Sequence, residues 1–140
     1  MNVKRAVGIG FVAYLCSFVL GIIVVLLYGL DLTQTGKAPK LMLIINILIS
    51  VVLVALFSLH YLKDKRLKAD VKEGLYFGFV LIIIGFVLDF IGFSISFAVG
   101  SRQDIIVYYS NPYFWIALAL LIATTAIVGY IRGKKNKLKR

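Results

Sequence analysis

The sequence predicts an all-α membrane protein, a four-helix transmembrane bundle with both termini in the cytoplasm. Three observations predict it. The 140 residues are 61% hydrophobic and only 16% charged, whereas soluble domains run nearer half apolar and about a quarter charged. The apolar residues fall into four long blocks, and the only charge inside them is one aspartate. The basic residues gather beyond the ends that four crossings bring to one side.

The blocks predict helices over about 6–30, 41–62, 74–99 and 113–132, in a single domain. Crossing a hydrocarbon core takes about 20 helical residues at about 1.5 Å each. Backbone polar groups cannot go unpaired in lipid, and blocks this long suit helices better than barrel strands of about ten residues.

The first block follows Lys4 and Arg5, as a signal peptide would, but it exceeds the usual apolar region of about 7–15 residues. It is read as a retained helix, with Cys16 as a small apolar residue within it. A single cysteine excludes an internal disulfide and a zinc cluster. Pro39 suits the entry to the second helix, where a missing N–H costs little. His60, at the charged edge of that helix, is read as an interfacial residue.

Residues 63–73 form a basic loop, helical in part as extensions of its neighbours. "GSRQDIIVYYSNP" is the least regular stretch, and Asn111-Pro112 reads as a helix start. Tyr108, Tyr109, Tyr113, Phe114 and Trp115 cluster there, as aromatic rings do at a membrane interface. The tail 133–140 is read as a disordered, lipid-associated basic anchor.

The net charge is +10, yet its placement argues against nucleic acid. Lys4 and Arg5 precede the first span. Five basic residues lie between the second and third, and six run from Arg132, at the end of the fourth, to Arg140. Only Lys37, Lys40 and Arg102 fall elsewhere. By the positive-inside rule the rich side is cytoplasmic, and the plasma membrane itself is the expected partner for this charge.

The third block holds the sharpest clue. In "GFVLDFIGF", Asp89 interrupts an apolar run. At about 100° per residue, Gly74, Gly78, Gly85, Asp89, Gly92, Ser96 and Gly100 share an arc of roughly 80°. Helices in lipid associate through close backbone approach, so Gly74, Gly78, Gly85, Gly92 and Ser96 form the expected packing face. Asp89 then faces protein or a watery crevice, because a carboxylate against acyl chains costs a few kcal/mol.

Its expected neighbours are Asn46 and Ser50 on the second helix and Thr124 and Thr125 on the fourth. The first helix offers Gly10, Tyr14, Ser17 and Gly21. A hydrogen bond from Asn46, Ser50 or a threonine is the expectation. Asp89, Asn46, Ser50, Thr124 and Thr125 are accordingly the candidates for binding a substrate or ion. The plainer alternative for Asp89 is a packing bond of about 0.5–2 kcal/mol.

No serine–histidine–acid set, metal cluster or phosphate loop can be assembled, so no enzyme activity, metal or cofactor is expected. "GFVAYLCSF" and "EGLYFGFVLIIIGFVLDF" carry a resemblance, over about a third of the chain and mainly in composition, to uncharacterised prokaryotic four-helix integral membrane proteins. That resemblance implies a fold and no activity. Two functional classes remain open. One is an oligomeric transporter or pore component using Asp89 as a proton or cation site. The other is an accessory or assembly subunit whose glycine face docks another membrane protein.

Overall fold

The computed structural model describes residues 2–28, 40–64, 69–98 and 105–137, and every regular element among them is helical. Five helices follow in order: α1 (Val3–Leu27), α2 (Lys40–Tyr61), α3 (Val71–Ala98), α4 (Ile105–Ser110) and α5 (Pro112–Lys137). Four of them are long and apolar enough to cross a membrane. At about 1.5 Å per residue, even the 22 residues of α2 reach about 33 Å, against a hydrocarbon core of about 30 Å.

The helix starts are set by side-chain caps. Asn2 Oδ1 accepts the Arg5 N–H at 3.2 Å, starting α1 three residues earlier than the expected position 6. Asp70 Oδ1 accepts the Glu73 N–H at 2.8 Å, starting α3 at Val71 instead of 74. Both satisfy donors that the first helical turn leaves unpaired. Asn111 Oδ1 accepts the Tyr113 N–H at 3.0 Å and Pro112 opens α5, as the sequence led one to expect.

Two expectations need correcting. The outer stretch before Asn111 is not irregular throughout, because Ile105–Ser110 folds as α4 and packs on α5. The basic tail is not disordered from residue 133, because α5 continues to Lys137. Lysines and arginines are good helix formers, and cations near a helix C-terminus are favoured by its dipole.

The long helices form a ring in the order α1, α2, α5, α3, with the most extensive packing between α3 and α5. The diagonal pairs, α1 with α5 and α2 with α3, make little contact. The larger core lies at the basic end and joins Ala6, Ala13, Val54, Tyr61, Phe77, Leu81 and Val128. A smaller one, Val24, Val25 and Met42, joins α1 to α2 at the opposite end.

Outside these cores the helices are apolar on their exposed sides. Ile83, Val87 and Ile95 of α3 are exposed, and Phe90 of the same helix is 70% exposed. Water-soluble monomers rarely carry apolar faces of this extent. The same residues are matched to a hydrocarbon solvent.

Candidate functional site

The α3–α5 seam is built on glycine. A Cβ on Gly74 would collide with the backbone carbonyl of Thr125, and one on Gly78 would lie 2.5 Å from the Thr125 hydroxyl. In return, a Cβ on Gly129 would collide with the carbonyl of Asp70, and one on Gly133 would lie 2.8 Å from the carbonyl of Ala69. Small residues at spacings of four on both helices thus allow backbone to approach backbone. Thr125 is fully buried there, its hydroxyl donating 2.9 Å back to the Ile122 carbonyl.

The predicted small-residue face divides along its length. Gly74 and Gly78 are buried in the seam, whereas a Cβ on Gly85 or Gly92 would meet nothing within 4 Å. The side chain of Ser96 lies outside the described residues. Among the described side chains, α3 buries none beyond Leu81, so its second half is the more open one, although Ile84 lies against Gly10 of α1 and Phe86 and Phe93 meet rings of α4.

Asp89 sits in that open half. It is half-buried, and its Oδ1 accepts a hydrogen bond from the Tyr14 hydroxyl of α1 at 2.5 Å. The expected partner was Asn46, Ser50 or a threonine; the observed donor is Tyr14, which only the face of the first helix had brought into view. Tyr14 reaches because its hydroxyl ends a long rigid side chain, and its ring is steadied by stacking on Phe18 with centroids 6.4 Å apart. Among the described residues no cation forms an ion pair with Asp89.

The threonines do not join this site. Thr125 packs at the level of Gly78, eleven residues and about 16 Å along α3 from Asp89. The Thr124 hydroxyl donates 2.7 Å back to Leu120 within its own helix. Asn46 is half-buried, with Oδ1 3.9 Å from the position of a Cβ on Gly21 of α1, and Ser50 is half-buried one turn along α2.

An aromatic cluster caps the Asp89 end. Phe86 and Phe93 of α3 meet Tyr109 of α4 with centroids 5.8 and 6.2 Å apart, and Phe114 of α5 meets Tyr109 at 5.0 Å. The Trp115 indole N–H donates 2.8 Å to the Tyr109 carbonyl, tying α4 to α5. Burial, and after it the negative charge of Asp89, pushes the Tyr109 hydroxyl above the usual phenol value, so it stays a protonated donor.

A second polar contact, which the sequence did not suggest, lies in the core at the basic end. The Tyr61 hydroxyl donates to Glu73 Oε1 at 2.6 Å, both residues are buried, and the Tyr61 ring stacks on Phe77 with centroids 4.5 Å apart. Close by, Arg5 pairs with Asp64 at 2.9 Å and donates to the His60 carbonyl at 3.0 Å, pinning α1 to the end of α2. Among the described residues no three His, Cys, Asp or Glu side chains group as a metal site would require. No protein-family model, curated protein or solved structure matches the chain.

Proposed function

We propose that the chain is a multi-pass plasma-membrane protein with both termini in the cytoplasm, and that it is an oligomeric transporter or pore component. Asp89 is its proton- or cation-binding group. The observation that carries this reading is the Tyr14–Asp89 hydrogen bond, a carboxyl between two apolar helices with no described cation beside it. An acid in such a place is expensive and is retained where it binds something charged. A bound cation or proton would offset the cost of its charge, and Tyr14 holds the carboxyl in one orientation between binding events.

Four helices of this length enclose little space of their own, so the pathway forms against a second copy. The half of α3 that carries Asp89 offers that contact, since Gly85 and Gly92 are not packed by the chain itself. The same two glycines favour a second reading, in which the face docks a different membrane protein and Asp89 fixes the register.

The test is reconstitution of the full chain in liposomes with an imposed pH gradient. Asp89→Asn keeps hydrogen-bonding capacity and cannot titrate. It is expected to assemble normally and to abolish pH-dependent flux. If the native chain carries no flux and Gly85→Leu removes a co-purifying membrane protein, the docking reading replaces the transport one.

A further inference from the structure

A groove of about 380 Å³ opens between α1 and α2 at the basic end, lined by Arg5, Gly8, Ile9, Val12, Phe57 and His60. On α1 the four lining residues stand at spacings of three, one and three, which is one face of a helix. Gly8 makes the notch, because a Cβ there would meet nothing within 4 Å. The walls along Gly8, Ile9, Val12 and Phe57 are apolar over about 6–10 Å.

The head of the groove is basic. Arg5 and His60 line it, and Lys4 and Lys63 are exposed one to three residues away in sequence. Asp64 offsets the Arg5 charge through their pair, so the positive excess at this end comes from Lys4 and Lys63. The Arg5 Nε–H is buried and has no acceptor among the described residues.

An apolar slot below a cationic head matches one chemistry. We propose that the groove seats an anionic phospholipid, with its phosphate at Arg5, His60 and Lys63 and an acyl chain along Gly8, Val12 and Phe57. A free phosphate would leave the apolar walls unused. A zwitterionic lipid would leave the charge excess unmatched. The inference rests on the membrane reading above but is independent of transport through Asp89. The bound lipid would wedge α1 against α2 where Arg5 already ties them.

The experiment uses the full chain, purified in detergent and titrated with dioleoylphosphatidylglycerol, dioleoylphosphatidylcholine or inorganic phosphate, with bound lipid read by native mass spectrometry. One phosphatidylglycerol per chain is expected, held at least about fivefold more tightly than phosphatidylcholine, and inorganic phosphate is not expected to compete. Gly8→Leu fills the notch and is expected to weaken phosphatidylglycerol binding by about tenfold or more, with unchanged melting in lipid-free detergent.

Equal affinity for the two lipids, competition by phosphate alone, or unchanged binding by a folded Gly8→Leu would each overturn the proposal. Should Gly8→Leu fail to fold, the double variant His60→Gln, Lys63→Gln decides. Loss of the preference for phosphatidylglycerol supports the seat, and a retained preference refutes it. Alkaline carbonate extraction separates the two levels of inference. A chain that resists extraction yet ignores lipid charge refutes only the lipid seat, whereas a chain released by carbonate refutes the membrane reading and the seat together.

Discussion

The Tyr14 hydroxyl and the Asp89 carboxyl are 2.5 Å apart across the α1–α3 interface, just beyond the buried core, which ends at Ala13 on α1 and at Leu81 on α3. Their bond is the polar tie between α1 and α3 in a region where α3 buries no described side chain. Tyr14→Phe keeps the ring on Phe18 and removes the donor. It is expected to cost about 0.5–2 kcal/mol of stability, measured by unfolding in mixed detergent micelles. Asp89→Asn keeps an acceptor for Tyr14 and is expected to cost less. A larger loss from Asp89→Asn than from Tyr14→Phe would mean that the carboxyl's main partner is another group.

Glycines inside and outside the α3–α5 seam carry opposite predictions. Gly78→Leu drives side-chain atoms into Thr125, and Gly129→Leu drives them into the backbone of Asp70. Overpacking of this kind typically costs about 1–3 kcal/mol, and more where backbone must move. Gly85→Leu enters open space, and its effect on the stability of an isolated chain is expected to stay within about 0.5 kcal/mol. Thermal unfolding of the three variants in one detergent orders them. Equal destabilisation at Gly85 and Gly78 would show that the outer half of α3 is as tightly packed as the seam.

The fold was legible because lipid-compatible composition leaves little choice. Four blocks long enough to span read directly as four long helices, and Asn111-Pro112 announced the start of α5. The misplaced starts of α1 and α3 came from following hydropathy alone. Asn2 and Asp70 are polar caps standing outside the apolar blocks, and Asp70 with Glu73 three residues on matches a helix-start pattern. α4 was missed because six residues between polar stretches give too short a window for periodicity.

The site was legible in part. Helical spacing put Asp89 and the glycines on one face, and Gly74 and Gly78 do meet a neighbour closely. The change of surroundings between Gly78 and Gly85 depends on which neighbour packs at each level, which no single-helix pattern contains. Asn46, Ser50 and the threonines were chosen by polarity. Tyr14 makes the bond because of its reach, a property that hydropathy does not record. Glu73 falls in the stretch read as a basic loop, yet it is buried and bonded to Tyr61.

That buried pair carries a third prediction. Tyr61→Phe retains the stack on Phe77 and removes only the hydroxyl that Glu73 accepts from. A buried acceptor deprived of one donor costs about 1–3 kcal/mol, so the variant is expected to unfold measurably earlier than wild type. Glu73→Gln keeps an acceptor at the same reach and is expected to lose less. If Tyr61→Phe is neutral, the other interactions of Glu73 suffice without the tyrosine.

Orientation is the last prediction, and it follows from the charge asymmetry. Cys16 is the single cysteine, so Cys16→Ala gives a background for placing one reporter at a time. Lys63→Cys stands on the basic side, and Ser110→Cys at the end of α4 stands on the other; both positions are exposed. A membrane-impermeant maleimide applied to intact cells is expected to label Ser110→Cys and to spare Lys63→Cys until the membrane is permeabilised. Moving a Lys or Arg across the hydrocarbon core is costly, on the order of 2.5–3.5 kcal/mol per residue on insertion scales. Translocating the basic ends would therefore oppose insertion, whereas the side carrying Ser110 has few basic residues to carry over. Labelling of Lys63→Cys from outside would invert the orientation and would put the Arg5–His60 groove on the external face.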